Sequence, residues 1–190
     1  AKPVRRVEFI LGKYFGCLLL LFVSLFMMAV MFGAELAIME RGALAELRQD
    51  GPRVVGVTVE QAVAEIHQQV RDPDLVKAVV LIFAKVSLLA AITMLFATFS
   101  TSMVFNVAMG FMAWIAGTLV EPAREMLANH KVLLALLAAL PDLAAFNVAD
   151  EIVQGVSVSW AHVATVATYG VGRTALIIAA AYLIFAQREI

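Results

Sequence analysis

The stretch VSLLAAITMLFATFSTSMVFNVAMGFMAWIAGTLV, residues 86–120, decides the fold of this chain. It holds no charged side chain, and Lys85 and Glu121 stand at its two ends. An α-helix rises about 1.5 Å per residue, so roughly 20 residues cross a hydrocarbon layer of about 30 Å. The stretch is therefore too long for one crossing. The small polar run STS at residues 100–102 suits a tight turn, which predicts two antiparallel membrane spans joined there.

Two further runs without Asp, Glu, Lys or Arg, at residues 14–34 and 152–172, are each long enough for one crossing. The chain is accordingly predicted to be all-α, a polytopic transmembrane helix bundle of about four spans. We expect these spans over residues 14–34, about 75–99, about 103–120 and about 158–185.

The composition supports this class of protein. The chain is 63% hydrophobic and 15% charged, against about 45–50% and about 25% in average chains. Its 14 Lys and Arg against 15 Asp and Glu give a net charge of −1, which leaves no basic surplus for binding nucleic acid. A single cysteine, Cys17, excludes a disulfide framework and a Cys-based zinc site. We therefore expect an integral membrane protein that binds no nucleic acid.

Two apolar segments between the third and fourth spans are too short to cross a bilayer. They cover residues 132–140 and 143–153, and Pro141 and Asp142 separate them. Half-length helices are tolerated in a bilayer only where protein buries their backbone. We expect a re-entrant or interfacial helix pair.

Residues 35–74 form a small segment with soluble-protein character. Thr58 followed by Gln61 is typical of a helix start, because each side chain can bond the backbone N–H of the other residue. Asp72 and Pro73 end this helix before the second span. The segment is interpreted either as a small cap packed on the bundle or as a docking surface for a substrate or partner.

The distribution of basic residues predicts the orientation. Four of the first 13 residues are Lys or Arg, whereas residues 35–77 hold five basic against eight acidic residues. Because cytoplasmic segments carry the excess of Lys and Arg, we expect both termini in the cytoplasm and a multi-pass protein of the inner (cytoplasmic) membrane. The predicted division is 1–34 for a cytoplasmic elbow and first span, 35–74 outside, 75–120 for a hairpin of two spans, 121–157 for an outer loop with the short helices, and 158–190 for the last span and the cytoplasmic C-terminus.

Two cations, Lys85 and Arg173, fall deep inside predicted spans, where charges are costly and usually face the bundle interior. Suitable acceptors are carboxylates near the outer ends (Glu35, Glu121, Asp150, Glu151) or the neutral groups of Thr93, Thr98 and Tyr169. Lys85 and Arg173 either form interhelical contacts that fix the packing or line a pathway for a substrate or lipid.

The sequence carries no signature of catalysis. His67, His130 and His162 lack metal-ligand spacing, and the chain contains no HExxH, GxSxG or Walker A motif. We therefore predict that the chain is not an enzyme and holds no catalytic residue, no cofactor and no metal. If ATP drives the protein, another chain binds the ATP and its Mg²⁺.

Four motifs, in order along the chain, resemble type-2 permeases of ATP-binding-cassette exporters, such as those of copper-enzyme maturation. They are KPVRRVEFILGKYFG (2–16), which resembles the family's KPVxRxEFxLGKxxG; LFATFSTS (95–102), similar to LFSTFSS; LPDLAAFN (140–147), similar to LPNLxxFN; and FAQRE (185–189), similar to FxxRE.

The resemblance implies a six-span permease half that forms a homodimer or pseudo-dimer and sits on a pair of separate ATPase subunits. The family's first two spans do not appear in this sequence, so the chain is expected to be a C-terminal four-span fragment. Its outer segment is also larger than the family minimum. The alternative hypothesis is a non-transporting structural or assembly protein of the membrane, or a truncated permease remnant.

The first motif also has a physical interpretation. Arg5, Arg6 and Lys13, with Glu8 between them, flank an amphipathic approach to the first span. Basic side chains at such a place can reach anionic lipid headgroups. We expect this elbow either to anchor the chain on membrane lipids or to contact the ATPase partner.

Overall fold

The structure, a computed structural model, describes residues 6–50, 58–70, 72–148 and 157–187, without the side chains of Arg6, Asp50, Gln69 and Leu136. Over these ranges every regular element is a helix, as predicted. The α-helices are α1 (Arg6–Asp50), α2 (Val59–Val70), α3 (Asp74–Phe99), α4 (Met103–Thr118), α5 (Val120–Met126), α6 (Lys131–Ala139) and α7 (Trp160–Gln187), with a 3₁₀ helix at Ala144–Phe146.

Helix α1 contains the predicted first span and continues well beyond it. Its 45 residues correspond to a length of about 66 Å, roughly twice the thickness of the hydrocarbon layer. The change from apolar to charged residues at Glu35 does not interrupt the helix, because no proline lies within it and good helix formers such as Ala, Glu, Leu and Arg continue past this point. The outer segment is therefore built partly on an extension of α1.

Helix α2 packs on this extension. The predicted helix start is confirmed, since the backbone N–H of Thr58 donates to Oε1 of Gln61 at 3.0 Å and that of Gln61 donates to Oγ1 of Thr58 at 3.3 Å. Nδ1 of His67 lies 2.5 Å from Oε1 of Glu40 on α1. The described part of the outer segment is thus a helical hairpin.

The predicted turn between the second and third spans is also confirmed. Helix α3 ends at Phe99 and α4 begins at Met103. Inside the turn, the backbone N–H of Ser102 donates to Oγ of Ser100 at 3.1 Å, and Nδ2 of Asn106 donates to the Ser100 carbonyl at 3.2 Å. The hydroxyls and the amide replace backbone partners that the helices cannot supply here.

The predicted third span, about residues 103–120, ends at a bend. Helix α4 has 16 residues, about 24 Å, and α5 leaves it at an angle of 49°. Pro122 explains the bend, because it lacks an N–H for the Thr118 carbonyl and its ring crowds that carbonyl. Among the described residues, three helices (α1, α3 and α7) are long and apolar enough to cross a membrane, and a fourth candidate results only when α4 and α5 are counted as one broken span.

The core lies between α3 and α7. These two helices run parallel, since Asp74 at the start of α3 contacts Val158 just before α7. Helix α1 runs antiparallel to them, and Phe9 near its start stacks on Phe185 near the end of α7, with 6.0 Å between ring centroids. The start of α1 and the end of α7 therefore share one end of the bundle.

The second of the two short apolar segments folds back onto this core, whereas most of α6 is exposed. Helix α6 ends before Pro141, as predicted, and the chain continues through the 3₁₀ helix. The carboxylate of Asp142 accepts from the backbone N–H groups of Ala144 and Ala145 at 3.1 and 3.3 Å, which orders the reversal. Residues 131–148 are referred to below as the docked segment; the remainder of the predicted second piece lies outside the described residues.

Candidate functional site

Lys85, the first of the two cations predicted inside the bundle, contacts the docked segment. It is the twelfth residue of α3, about 16 Å along the helix from its start. Its Nζ donates a hydrogen bond to Oδ1 of Asn147 at 2.8 Å. The Lys85 ammonium is therefore partnered near the middle of α3 by a neutral amide rather than by a carboxylate.

Arg173, the second cation, contacts the other end of the same segment. Its Nη2 donates to the backbone carbonyl of Ala138 at 2.7 Å, and its Cζ lies 5.5 Å from the centroid of the Tyr169 ring. Such a cation–π contact adds a modest attraction. The Tyr169 hydroxyl in turn accepts from the backbone N–H of Asp142 at 2.9 Å. Arg173 and Tyr169 together hold α6 and the turn after it against α7.

The acceptors differ from most of those that the sequence suggested. Among the described residues neither cation pairs with a carboxylate, and the suggested Asp150 and Glu151 lie outside those ranges. The hydroxyls of Thr93 and Thr98 donate instead to carbonyls within their own helix, at 2.9 and 2.6 Å, as Thr commonly does in a helix. Tyr169 does contact its predicted cation, through the face of the ring.

Two buried apolar side chains complete the docking. Leu143 and Phe146, both about fully buried, lie over Gly117 of α4 and Gly170 of α7. An added Cβ would come within 2.6 Å of Leu143 Cγ at Gly117 and within 3.0 Å of Phe146 Cζ at Gly170. The backbone N–H of Leu143 also donates to the Gly117 carbonyl at 3.0 Å. Small residues at these positions let the docked segment approach the helices closely.

The structure contains one polar cluster that the sequence did not single out. Asp74 and Lys77 form a buried ion pair at the start of α3. Both bind the backbone of Val158, two residues before the start of α7: Lys77 Nζ donates to the Val158 carbonyl at 2.6 Å, and the Val158 N–H donates to Oδ2 of Asp74 at 2.8 Å. Lys77 Nζ also lies 5.3 Å from the centroid of the Trp160 ring. We refer to these four residues as the clamp.

The sequence contains a signal for the Asp74–Lys77 pair of the clamp. Asp and Lys three residues apart lie on one face of a helix and can pair, and this pair stands directly before an apolar run. Nothing local marks Val158 as the partner, because it follows 81 residues after Lys77. The clamp fixes the relative position of α3 and α7 at one end of the bundle. The start of α1 lies at the other end.

The elbow residues are only partly described. Arg5 lies outside the described residues, and of Arg6 the backbone alone is described, as the first residue of α1. Glu8 and Lys13 are exposed on α1, and Lys13 borders a groove between α1, α3 and α4. The contact of these residues with lipids or with an ATPase stays a prediction.

The described residues bring no group of three or more His, Cys, Asp or Glu side chains close enough to hold a metal ion. The polar contacts instead connect helices to the docked segment and to each other. Comparisons with protein-family models, with curated proteins and with solved structures found no match to this chain.

Proposed function

We propose that this chain is a membrane-spanning permease subunit of an ATP-binding-cassette exporter. In this proposal it lies in the cytoplasmic membrane with both termini in the cytoplasm, pairs with a second permease, and moves a substrate with ATP hydrolysed by a separate subunit. No catalytic role is assigned to its own residues, and ATP and Mg²⁺ belong to the partner.

The observation that carries the proposal is the structural position of the resembling motifs. LFATFSTS (95–102) forms the turn between α3 and α4. LPDLAAFN (140–147) supplies Leu143, Phe146 and Asn147, which anchor the docked segment. The described part of the first motif opens α1. The stretches that resemble the family thus coincide with a turn, an anchoring reversal and a helix start rather than with arbitrary lipid-facing surface.

The proposal is tested by co-purification. The protein is expressed together with a candidate ATP-binding-cassette ATPase from the same organism, and the complex is isolated from the membrane through a tag on the permease. We expect the ATPase to co-elute. A charge reversal at the elbow, Glu8→Lys, should weaken the association, while Glu65→Lys on the exposed face of α2 should not. A full-length protein that stays monomeric and never binds an ATPase would favour the non-transporting alternative.

The same complex distinguishes the two interpretations of Lys85. If Lys85 lines a substrate pathway, Lys85→Met should lower substrate-stimulated ATP hydrolysis although the complex still assembles. If Lys85 only holds the docked segment, ATP hydrolysis by the assembled complex should be unchanged.

A further inference from the structure

A groove between α1, α3 and α4 has the size and polarity of a binding site. Its volume is about 410 Å³, within the range of about 300–1,000 Å³ common for small-molecule sites. Residues from three helices line it, among them Lys13, Cys17 and Leu21 of α1, Val86 and Leu89 of α3, and Asn106 of α4.

Two polar residues of the groove, Lys13 and Asn106, lie toward one end. Asn106 is the fourth residue of α4, close to the α3–α4 turn, and Lys13 lies in the second turn of α1. Leu21 and Val86 line the apolar part, farther from that turn. In the orientation proposed above, the polar end of the groove lies at the cytoplasmic surface and the apolar end lies toward the membrane centre. A lipid of the cytoplasmic leaflet has the same arrangement, with its headgroup at the surface and its acyl chains toward the centre.

One polar atom at this end lacks a partner. Nδ2 of Asn106 donates to the Ser100 carbonyl at 3.2 Å, which fixes the amide orientation. Oδ1 of the same amide is buried and accepts no hydrogen bond in the part of the chain that the structure describes. Because this oxygen is closed off from the surface of the groove, it is not a contact for a bound molecule, and Asn106 forms only part of the wall at this end.

Lys13 adds a positive charge. Its side chain is exposed, and no hydrogen-bond or ion-pair partner of its ammonium lies within the described ranges. A matching ligand therefore carries an anionic group for Lys13 and an aliphatic chain for the apolar part. The phosphodiester and acyl chains of an anionic phospholipid such as phosphatidylglycerol combine these two features.

We infer that the groove between α1, α3 and α4 is a binding site for an anionic phospholipid of the cytoplasmic leaflet, such as phosphatidylglycerol. One acyl chain lies along Leu21, Val86 and Leu89, and the phosphate contacts Lys13. The cytoplasmic leaflet carries anionic lipids. The inference rests on the proposed orientation of α1 but not on the proposed transport activity.

A second groove provides a matched control. It lies between α1 and α7 and has a volume of about 370 Å³, and the described side chains that line it are apolar apart from Tyr182. Ala90 lines the first groove and Ala179 the second. Replacing either alanine with phenylalanine fills one groove and leaves the other open.

The test is native mass spectrometry of the full chain, stripped of lipid in detergent and titrated with phosphatidylglycerol or phosphatidylcholine. We expect one tightly bound phosphatidylglycerol per chain and weaker binding of phosphatidylcholine. Lys13→Gln should weaken phosphatidylglycerol binding about tenfold, as expected for the loss of one charge-assisted contact. Ala90→Phe should abolish this binding, and Ala179→Phe should leave it unchanged.

A second readout does not require Ala90→Phe to fold. Cys17, the single cysteine of the chain, is exposed and lines the groove, so bound phosphatidylglycerol should slow its reaction with a maleimide in the wild type and much less in Lys13→Gln. Equal binding of the two lipids, or no effect of either variant, would overturn the inference. A third outcome would also overturn the inference: the wild type binds no lipid, and Ala90→Phe loses self-association. This would show that a helix of another chain fills the groove.

Discussion

The ammonium of Lys85 and the side-chain amide of Asn147 meet across 62 residues of the chain, with 2.8 Å between Nζ and Oδ1. The contact joins the middle of α3 to the docked segment. Arg173 makes the corresponding contact from α7 through the Ala138 carbonyl. Both cations therefore face protein groups of one segment, which is the usual environment of a charge inside a helix bundle.

The contact predicts an energetic coupling between Lys85 and Asn147. In a double-mutant cycle of Lys85→Met and Asn147→Ala, the effects on the free energy of unfolding should be non-additive by about 1 kcal/mol, the size typical of hydrogen bonds between membrane helices. The measurement is reversible unfolding in mixed micelles. As a control, Lys85→Met and Thr165→Ala, whose hydroxyl bonds within α7, should be additive. Additivity in the first pair would show that the two side chains do not interact.

Gly117 should not tolerate a side chain. An added Cβ would lie 2.6 Å from Leu143 Cγ and 3.1 Å from the Pro141 carbonyl oxygen. We expect Gly117→Ala to lower the free energy of unfolding by about 1–3 kcal/mol, the common cost of overpacking, although alanine itself favours a helix. Gly172 has nothing within 4 Å of an added Cβ, so Gly172→Ala should be neutral or stabilising.

The docking of residues 131–148 is tested by the same pair of variants. If Gly117→Ala and Gly172→Ala changed thermal unfolding alike, Leu143 would not pack on Gly117. Adding Leu143→Ala to Gly117→Ala should relieve the clash. The double variant should then be as stable as Leu143→Ala alone.

The clamp should show the asymmetry of a buried ion pair. Removing one partner of such a pair leaves an uncompensated charge, whereas removing both leaves none. Lys77→Met should therefore lower the unfolding temperature by several degrees, and Asp74→Asn combined with Lys77→Met should recover part of the loss. Glu65→Gln, on the exposed face of α2, is the control and should change little. A double variant less stable than Lys77→Met would contradict a buried pair.

Much of this fold could be predicted from local sequence. The turn at residues 100–102, the helix start at Thr58 and the end of α6 before Pro141 each follow from a few adjacent residues. The bend after α4 was missed although Pro122 was visible, because the length of the uncharged run was counted without regard to the proline that follows it. Likewise, the change of polarity at Glu35 marks a change of surroundings rather than the end of α1.

The partners of the buried polar groups could not be predicted in the same way. Lys85 and Arg173 were recognisable because each stands alone in an apolar run, but Asn147 and the Ala138 carbonyl become their acceptors only when the docked segment folds back. The same holds for Val158 in the clamp. A polar group that is satisfied by the tertiary fold leaves no sign of its partner in the sequence around it.

The proposed function as a permease subunit requires the start of α1 to lie in the cytoplasm, because a permease must present its elbow to a cytosolic ATPase. The direct measurement is the sidedness of cysteine labelling in a Cys17→Ala background, with single cysteines at Arg48, near the end of α1, and at Arg188. A membrane-impermeant maleimide should label residue 48 from outside intact cells and residue 188 only after the membrane is opened. Labelling of residue 48 from the cytoplasmic side alone would contradict the proposed topology and, with it, the contact with an ATPase.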